Sequence, residues 1–233
     1  MAAKRDVIDI GTSIGLKPAL ENLAPQLECA AGCGVKFTFS TAAPLKRRID
    51  AGETFDIVIL MPQLIEDLIT EGKVLAGTQR IVGKSRIGAA IRRGAPRPDL
   101  STTQAFKATL LNARAIAYSK QGQAGPMMAK LIAGLGIAPQ VDPKTILETR
   151  SAGVALNVVE GKADIAFTVV CEILPVPGAE LAGPLPAELD SYVHFAAGIC
   201  SSTKQTLAAT ACLDFLKSPA ARSTFAANGV EPE

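Results

Sequence analysis

The sequence predicts an α/β protein made of two lobes that are joined by two crossing segments. Short apolar runs, which are typical of buried strands, alternate along the chain with amphipathic stretches, which are typical of helices. Turns rich in glycine and hydroxyl residues separate these segments. One long apolar-rich stretch, Arg80–Arg92, suits a strand that crosses from one lobe to the other. We expect residues 1–82 and 187–233 to form the first lobe and residues 83–186 the second.

The first part of the chain alternates strand and helix. The predicted segments are the strand Val7–Ile10, the helix Leu16–Cys29, the strand Val35–Phe39, the helix Leu45–Ala51, the strand Phe55–Leu60 and the helix Gln63–Thr70. A small-residue turn, Ser40-Thr41-Ala42-Ala43, leads into the second helix through Pro44. Hydroxyls and free backbone N–H groups at a helix N-terminus attract anions. We therefore predict that a small anion binds at this turn.

The second part repeats the alternation. The predicted strands are Ala115–Tyr118, Thr145–Thr149, Ala163–Val170 and Tyr192–Ile199, and the predicted helices are Thr103–Asn112, Met127–Leu135, Val154–Glu160, Lys204–Leu216 and Ala220–Ala227. Ser101 and Gln104 have the spacing of a capping box for the helix at Thr103. The proline- and glycine-rich stretch Leu174–Pro186 is predicted to be the return crossing.

Four polar turns follow predicted strands, two in each part of the chain: Gly11–Gly15, Ser40–Ala43, Ser119–Gly125 and Arg150–Gly153. Ligands of open α/β sheets bind beyond the C-terminal ends of the strands. The expected binding site is a cleft between the two lobes, lined by the amides and hydroxyls of these turns.

Composition excludes several classes of function. With 48% apolar and 20% charged residues, the chain is expected to be globular rather than disordered. A net charge of +2 without a basic face excludes nucleic acid as a partner, and there is no tryptophan for base stacking. Five cysteines and a single histidine lack metal-ligand spacing, so no metal or other cofactor is expected. The thiols are predicted to be free and buried in a reducing compartment, with a Cys29–Cys33 disulfide as the alternative.

No export signal or membrane-spanning run precedes Val7. The protein is therefore expected in the cytoplasm if Met1 is the native start, and in the periplasm if the sequence is a processed form. We expect that the protein does not insert into a membrane and that it is a monomer.

Four stretches, in order along nearly the whole chain, carry a resemblance to a known family: FSTAAPLKRRIDAGETFDIVIL, QAGPMMAKLIAGLG, VVEGKADIAF and ACLDFLKSPAARSTFAANGVEP. The sequence resembles the periplasmic solute-binding proteins of the molybdate-binding type. This resemblance implies the type II two-lobe fold, a small oxyanion as ligand and an ABC-transporter permease as partner.

The resemblance also implies a set of ligand-binding positions: Gly15 with Thr12 and Ser13 beside it, Ala42 with Ser40 and Thr41 beside it, Ala124, Gly125 and Ala152 as backbone donors, and Val169. The family has a serine in the first turn, serines in the second and a tyrosine at the position of Val169. Loss of a hydroxyl that serves a buried anion costs about 1.5–3 kcal/mol. We therefore expect an anion other than molybdate.

Arg150 begins the polar turn Arg150–Gly153, and a guanidinium can bind a carboxylate through two parallel hydrogen bonds. Tyr118, Ser119, Lys120 and Gln121 lie in the turn that is expected to face it. This mixture favours a di- or tricarboxylate. The alternative for Arg150 and Lys120 is that both are solvated turn residues.

Three functions remain open from the sequence, of which the third is a cytoplasmic sensor or regulator that uses the same lobe pair and needs a partner, since no DNA-binding appendage is present. The first is a substrate-binding protein that feeds a transporter. The second is an enzyme on the same fold, a proton-transfer isomerase of a small polycarboxylate similar to aconitate isomerase. The catalytic candidates for that function are Glu172, Lys120 and Tyr118, because a proton shuttle needs a base within reach of an acidic C–H bond. The alternative for Glu172 is an ion pair with an arginine.

Overall fold

The computed structural model describes residues 7–120, 122–150, 153–189 and 191–233, which form two α/β units. Unit 1 contains the described residues up to Lys84 together with His194–Glu233, and unit 2 is Ser85–Val193. The chain passes from one unit to the other twice, in a strand over Arg80–Arg92 and in a strand over Tyr192–Ile199. The predicted α/β class with two lobes and two crossing segments is confirmed.

The helices and strands of the described residues alternate as the sequence predicts. They are β1 (Val7–Ser13), α1 (Lys17–Ala31), β2 (Gly34–Ser40), α2 (Ala42–Asp50), β3 (Ile57–Leu60), α3 (Pro62–Thr70), β4 (Arg80–Arg92), α4 (Thr103–Asn112), β5 (Ile116–Ser119), α5 (Ala124–Gly134), α6 (Ala138–Val141), β6 (Thr145–Glu148), α7 (Leu156–Val159), β7 (Ile165–Val169), α8 (Val170–Ile173), β8 (Ala179–Pro184), β9 (Tyr192–Ile199), α9 (Thr206–Phe215) and α10 (Pro219–Ala227).

The sheet of unit 1 has the strand order β2-β1-β3-β9. β2, β1 and β3 are parallel, and β9 is antiparallel to β3. The register places Ser13 of β1 beside Ser40 of β2. All four residues of β3 are buried, which explains its unbroken apolar sequence. The C-terminal ends of three strands therefore share one edge of this sheet.

The sheet of unit 2 has the order β4-β7-β5-β6, with β8 paired to β4. β5, β6 and β7 are parallel, while β4 is antiparallel to both β7 and β8. The prediction that Leu174–Pro186 is a crossing segment is wrong, because this stretch contains the turn after α8 and the strand β8, both within unit 2. Its prolines and glycine fit an edge strand, where a missing N–H costs no ladder hydrogen bond.

Several predicted boundaries shift because the first turn of a helix looks like a loop in the sequence. Gly11-Thr12-Ser13 belongs to β1 and not to a turn. α2 and α5 begin at Ala42 and Ala124, several residues before the predicted starts at Leu45 and Met127. The cap of α4 is Thr102, whose hydroxyl accepts the Ala105 N–H, and not Ser101.

Among the described residues, the helices are too short or too polar to traverse a bilayer. None of the five cysteines, all of which lie in the described residues, forms a disulfide bond. Cys171, Cys200 and Cys212 are buried as predicted, but Cys29 is exposed on the last turn of α1 and Cys33 is half-buried.

Candidate functional site

The candidate site in unit 1 is the edge at which β1 and β2 end. Ser13 and Ser40 are register partners at this edge, and Thr41 follows Ser40 as the N-cap of α2. Gly15 lies buried in the short 3-10 turn Ile14–Leu16 that joins β1 to α1. The structure thus brings together most of the first-lobe residues that the sequence analysis singles out.

Four hydroxyls at this edge are left without a hydrogen-bond partner among the described residues. Thr12 Oγ1 is fully buried and has no partner. Ser13 and Thr41 are N-caps, but neither side chain makes a capping bond, and Ser40 makes no hydrogen bond either. Elsewhere in unit 1, several hydroxyls are hydrogen-bonded inside the protein, as at Thr70, Thr78, Ser201, Ser202 and Thr203. Among the described residues, this edge therefore combines four unbonded hydroxyls with two strand ends.

The N-terminus of α2 adds backbone donors beside these hydroxyls. Thr41 is in the extended region, and the first intrahelical bond runs from the Leu45 N–H to the Thr41 carbonyl at 3.1 Å. The N–H groups of Ala42 and Ala43 precede that bond, so the helix itself does not use them. Ala42 is buried with its methyl group in the apolar core. The edge thus offers hydroxyls, amides and the positive end of a helix dipole to an anion.

The matching edge in unit 2 is formed by the C-terminal ends of β5, β6 and β7. Ser119 ends β5, and the first turn of α5 packs against it so closely that a Cβ at Gly125 would lie 1.8 Å from the Ser119 carbonyl oxygen. Only glycine fits there. Ala124 is buried at the start of α5, and Lys120 is exposed. Gln121 and Ala152, both predicted to contact the ligand, lie outside the described residues.

The end of β6 carries a polar network that the sequence analysis missed. The Glu148 carboxylate, 7% exposed, accepts hydrogen bonds from the N–H groups of Thr149 and Arg150, from the amide of Asn157, and from Nε and Nη2 of Arg150. The Arg150 side chain and these other donors hold the pKa of Glu148 at about 2, although burial acts against them. Nη1 of Arg150 binds Glu160.

Arg150 is therefore held by two carboxylates of its own unit. Its side chain is nevertheless 45% exposed, so it is an ion-paired residue at the surface of the unit. The ionic partners lie two and ten residues away from it in the sequence. The sequence signal that could have found the network is Glu148 itself, an acidic residue near the end of the predicted strand Thr145–Thr149.

At the end of β7 lie Val169 and Glu172. Val169 is buried, pairs with Ile87 of β4 and precedes the short helix α8. Glu172 lies in α8 and is half-buried, and its Oε2 accepts the Thr168 hydroxyl at 2.6 Å. Burial raises the pKa of Glu172, while the hydrogen bond from Thr168 acts in the opposite direction. The alternative that Glu172 forms an ion pair with an arginine is wrong. Within the described residues, the Glu172 carboxylate accepts a hydrogen bond from a threonine and has no arginine partner.

Tyr118 lies away from this edge, in the core of unit 2. It pairs with Phe167 and packs in one apolar cluster with Phe106 and Met128. Burial, and then the charge of Asp142, raise the pKa of its hydroxyl. Because side chains alternate along β7, Thr168 lies on the opposite face of the sheet from Phe167. The three catalytic candidates therefore do not form one cluster: Tyr118 and Glu172 are on different faces, and Lys120 is exposed.

No group of three or more histidine, cysteine, aspartate or glutamate side chains with the arrangement of a metal site is found within the described parts of the chain. The chemistry that the edges offer is hydrogen bonding to an anion in unit 1 and, in unit 2, a half-buried carboxyl group that can exchange a proton.

The chain is similar to proteins with different ligands. An aconitate isomerase from a Pseudomonas species is 27% identical over 229 residues, 95% of this chain and 86% of that protein. The periplasmic molybdate-binding protein of Azotobacter vinelandii has a TM-score of 0.78 at 20% identity, over 97% of this chain and 99% of that one. A periplasmic thiamin-binding protein has a TM-score of 0.76 at 14% identity, over 100% of this chain and 85% of that one.

These structural likenesses show the type II periplasmic binding protein fold. The profile of a family described as bacterial extracellular solute-binding proteins, which work with ABC transporters, matches residues 8–231. The resemblance inferred from the sequence motifs is confirmed, and the protein belongs to the bacterial extracellular solute-binding protein family.

Proposed function

We propose that this protein binds a small di- or tricarboxylate and delivers it to an ABC transporter. The observation that supports the proposal most directly is the set of four hydroxyls at the unit 1 edge that the protein does not use internally. Together with the amides at the start of α2, they suit carboxylate oxygens, which accept several hydrogen bonds at once. A fully buried hydroxyl such as that of Thr12 has a cost of about 1–3 kcal/mol unless a partner satisfies it.

A polycarboxylate is favoured over molybdate on two grounds. The positions that the family resemblance assigns to ligand-binding side chains are Ala42 and Val169 here, and both are buried in apolar surroundings. In addition, the relative that is 27% identical over nearly the whole chain is named for aconitate, a tricarboxylate. The proposed location is the periplasm, in line with the extracellular family and the periplasmic structural relatives. We propose a monomer.

Ligand binding to the folded state raises the melting temperature, so a thermal-shift screen tests the proposal. The compounds are molybdate, tungstate, sulfate, citrate, cis-aconitate and trans-aconitate, and calorimetry then gives Kd for each hit. We expect the polycarboxylates to raise Tm and the metal oxyanions to leave it unchanged. A shift with molybdate alone would refute the proposed ligand class.

A pair of variants locates the site. Ser13→Ala removes one of the unused edge hydroxyls, and we expect Kd for the polycarboxylate to rise about tenfold. Thr54→Ala is the control. Thr54 is exposed and precedes the N-terminal end of β3, which is the end opposite to the candidate site. An equal effect of both variants on Kd would place the ligand elsewhere.

A second candidate function is isomerisation of the bound polycarboxylate by proton transfer. Glu172 supports it, since burial makes this carboxyl a stronger base and its hydrogen-bond partner is neutral. A carboxylate that removes a proton from a methylene carbon beside a C=C bond, and returns it to the far carbon of that bond, moves the double bond without an oxidant or co-reactant.

Incubation with each aconitate isomer distinguishes the two functions. A binding protein leaves the isomer ratio, followed by ultraviolet absorbance and chromatography, unchanged over hours. An isomerase brings both isomers to the same ratio, and Glu172→Gln is then expected to lower the rate at least about a hundredfold.

A further inference from the structure

The hydrogen bond between Thr168 and Glu172 is a feature that neither proposed function requires by itself. Thr168 is 1% exposed, and its hydroxyl lies 2.6 Å from Oε2 of Glu172. The distance is that of a strong hydrogen bond from a hydroxyl to a carboxylate. A buried hydroxyl of this kind has few orientations available, so it holds one carboxylate oxygen in a single place.

The backbone around Glu172 is held as closely as its side chain. Ser85 of β4 accepts the Cys171 N–H through its hydroxyl at 3.3 Å. A Cβ at Gly88, also on β4, would lie 2.8 Å from the Leu181 side chain and 3.0 Å from that of Val170. The short helix α8 is therefore packed tightly against β4, and Glu172 is presented on a fixed support at the end of β7.

Charged groups on the neighbouring elements are bonded elsewhere, and the hydrogen bond of the Glu172 side chain is made with Thr168. β7, on which α8 packs, has no titratable side chain, and Glu180 of β8 is bonded to Arg97. Burial raises the pKa of the neighbouring Cys171 thiol to about 12, so this thiol stays neutral. Arg86 on β4 lies over the Tyr192 ring and bonds to its hydroxyl.

We propose that Thr168 is a positioning residue for proton transfer: its hydroxyl donates to the Glu172 carboxylate and orients it at the edge of unit 2. The role in turnover rests on the isomerase candidate of the proposed function. In that reaction the C–H bond of the ligand methylene breaks as the O–H bond of Glu172 forms. The electron pair passes into the neighbouring C=C system, and the same proton is returned to the far carbon.

The first test measures Glu172 directly and needs no ligand. Carbon-13 NMR of the side-chain carboxyl follows its titration, and loss of the signal in Glu172→Gln assigns it. Thr168→Val removes the hydroxyl at constant volume, and the pKa of Glu172 is expected to rise by about one unit, a tenfold change in proton affinity. Thr168→Ser keeps the hydroxyl and is expected to keep the wild-type titration. Thr168→Ala replaces Thr168→Val if the latter does not fold.

The second test uses the aconitate isomers. The pH profile of turnover, or of Kd if the protein only binds, is expected to move in Thr168→Val by the same amount as the Glu172 titration. An unchanged titration overturns the positioning role, and a moved titration with an unchanged pH profile overturns its part in ligand chemistry. If no polycarboxylate binds the wild-type protein, the proposed function fails, while the titration still decides whether Thr168 orients Glu172.

Discussion

The two units have the same plan but use their polar groups differently. Each has three parallel strands that end at one edge and continue into helices. In unit 1 the hydroxyls at that edge have no internal partner. In unit 2 the carboxylate of Glu148 and the hydroxyl of Thr168 are both bonded within the unit. A shared topology thus places polar groups at both edges, and the two edges differ in whether those groups are bonded within their own unit.

The largest effect is expected at the close approach in unit 2. Gly125→Ala puts a methyl group 1.8 Å from the Ser119 carbonyl oxygen, so β5 and α5 have to separate. We expect a loss of about 4 kcal/mol or more in the free energy of unfolding, measured in urea. Gly134→Ala in the same helix is the control, since a Cβ there meets nothing within 4 Å. That change is expected to be neutral or to stabilise by up to about 1 kcal/mol.

The Glu148 network is expected to account for the next largest effect. Glu148→Ala leaves Arg150 and the buried Asn157 without their shared acceptor, which is expected to cost about 3–4 kcal/mol. Glu160→Ala removes the other, more exposed partner of Arg150 and is expected to cost less than about 1 kcal/mol. Equal losses in urea unfolding would mean that the network is not the stabilising feature of this edge.

The same carboxylate makes stability depend on pH. The pKa of Glu148 is about 2 in the folded protein against an ordinary value of 4.5. The lowered pKa favours the folded state by about 3 kcal/mol above pH 4.5, and this contribution is lost as pH falls from 4.5 towards 2. Urea unfolding at a series of acidic pH values measures it. In Glu148→Gln the dependence is expected to be flatter over this range, and an unchanged slope would contradict the assignment.

The smallest effect compares one threonine from each unit. Thr12→Val removes a buried hydroxyl that has no partner, so the protein without ligand is expected to be stabilised by up to about 1 kcal/mol. Thr168→Val removes a hydroxyl that is bonded to a carboxylate and is expected to destabilise by about 1 kcal/mol. Thermal unfolding of both variants measures the difference. If the two shifts have the same sign, the contrast between the units is wrong.

The sequence by itself determined the class of fold, the family and β4, the first strand that passes between the units. β4 and β9 have the predicted bounds because each is a long apolar run with clear breaks at both ends. The edge residues Ser13, Ser40 and Thr41 were also predictable. They follow strongly patterned strands, and parallel strands bring their C-terminal ends to one edge.

Only the tertiary structure decided which polar groups are already bonded. The ion pairs of Arg150 with Glu148 and Glu160 were not visible in the sequence. Tyr118 precedes a polar turn in the sequence, yet the register of β5 with β7 turns it into the core. A side chain's partners depend on the register of strands and on the packing of helices, which arise from contacts distant in sequence. Local residue patterns do not contain that information.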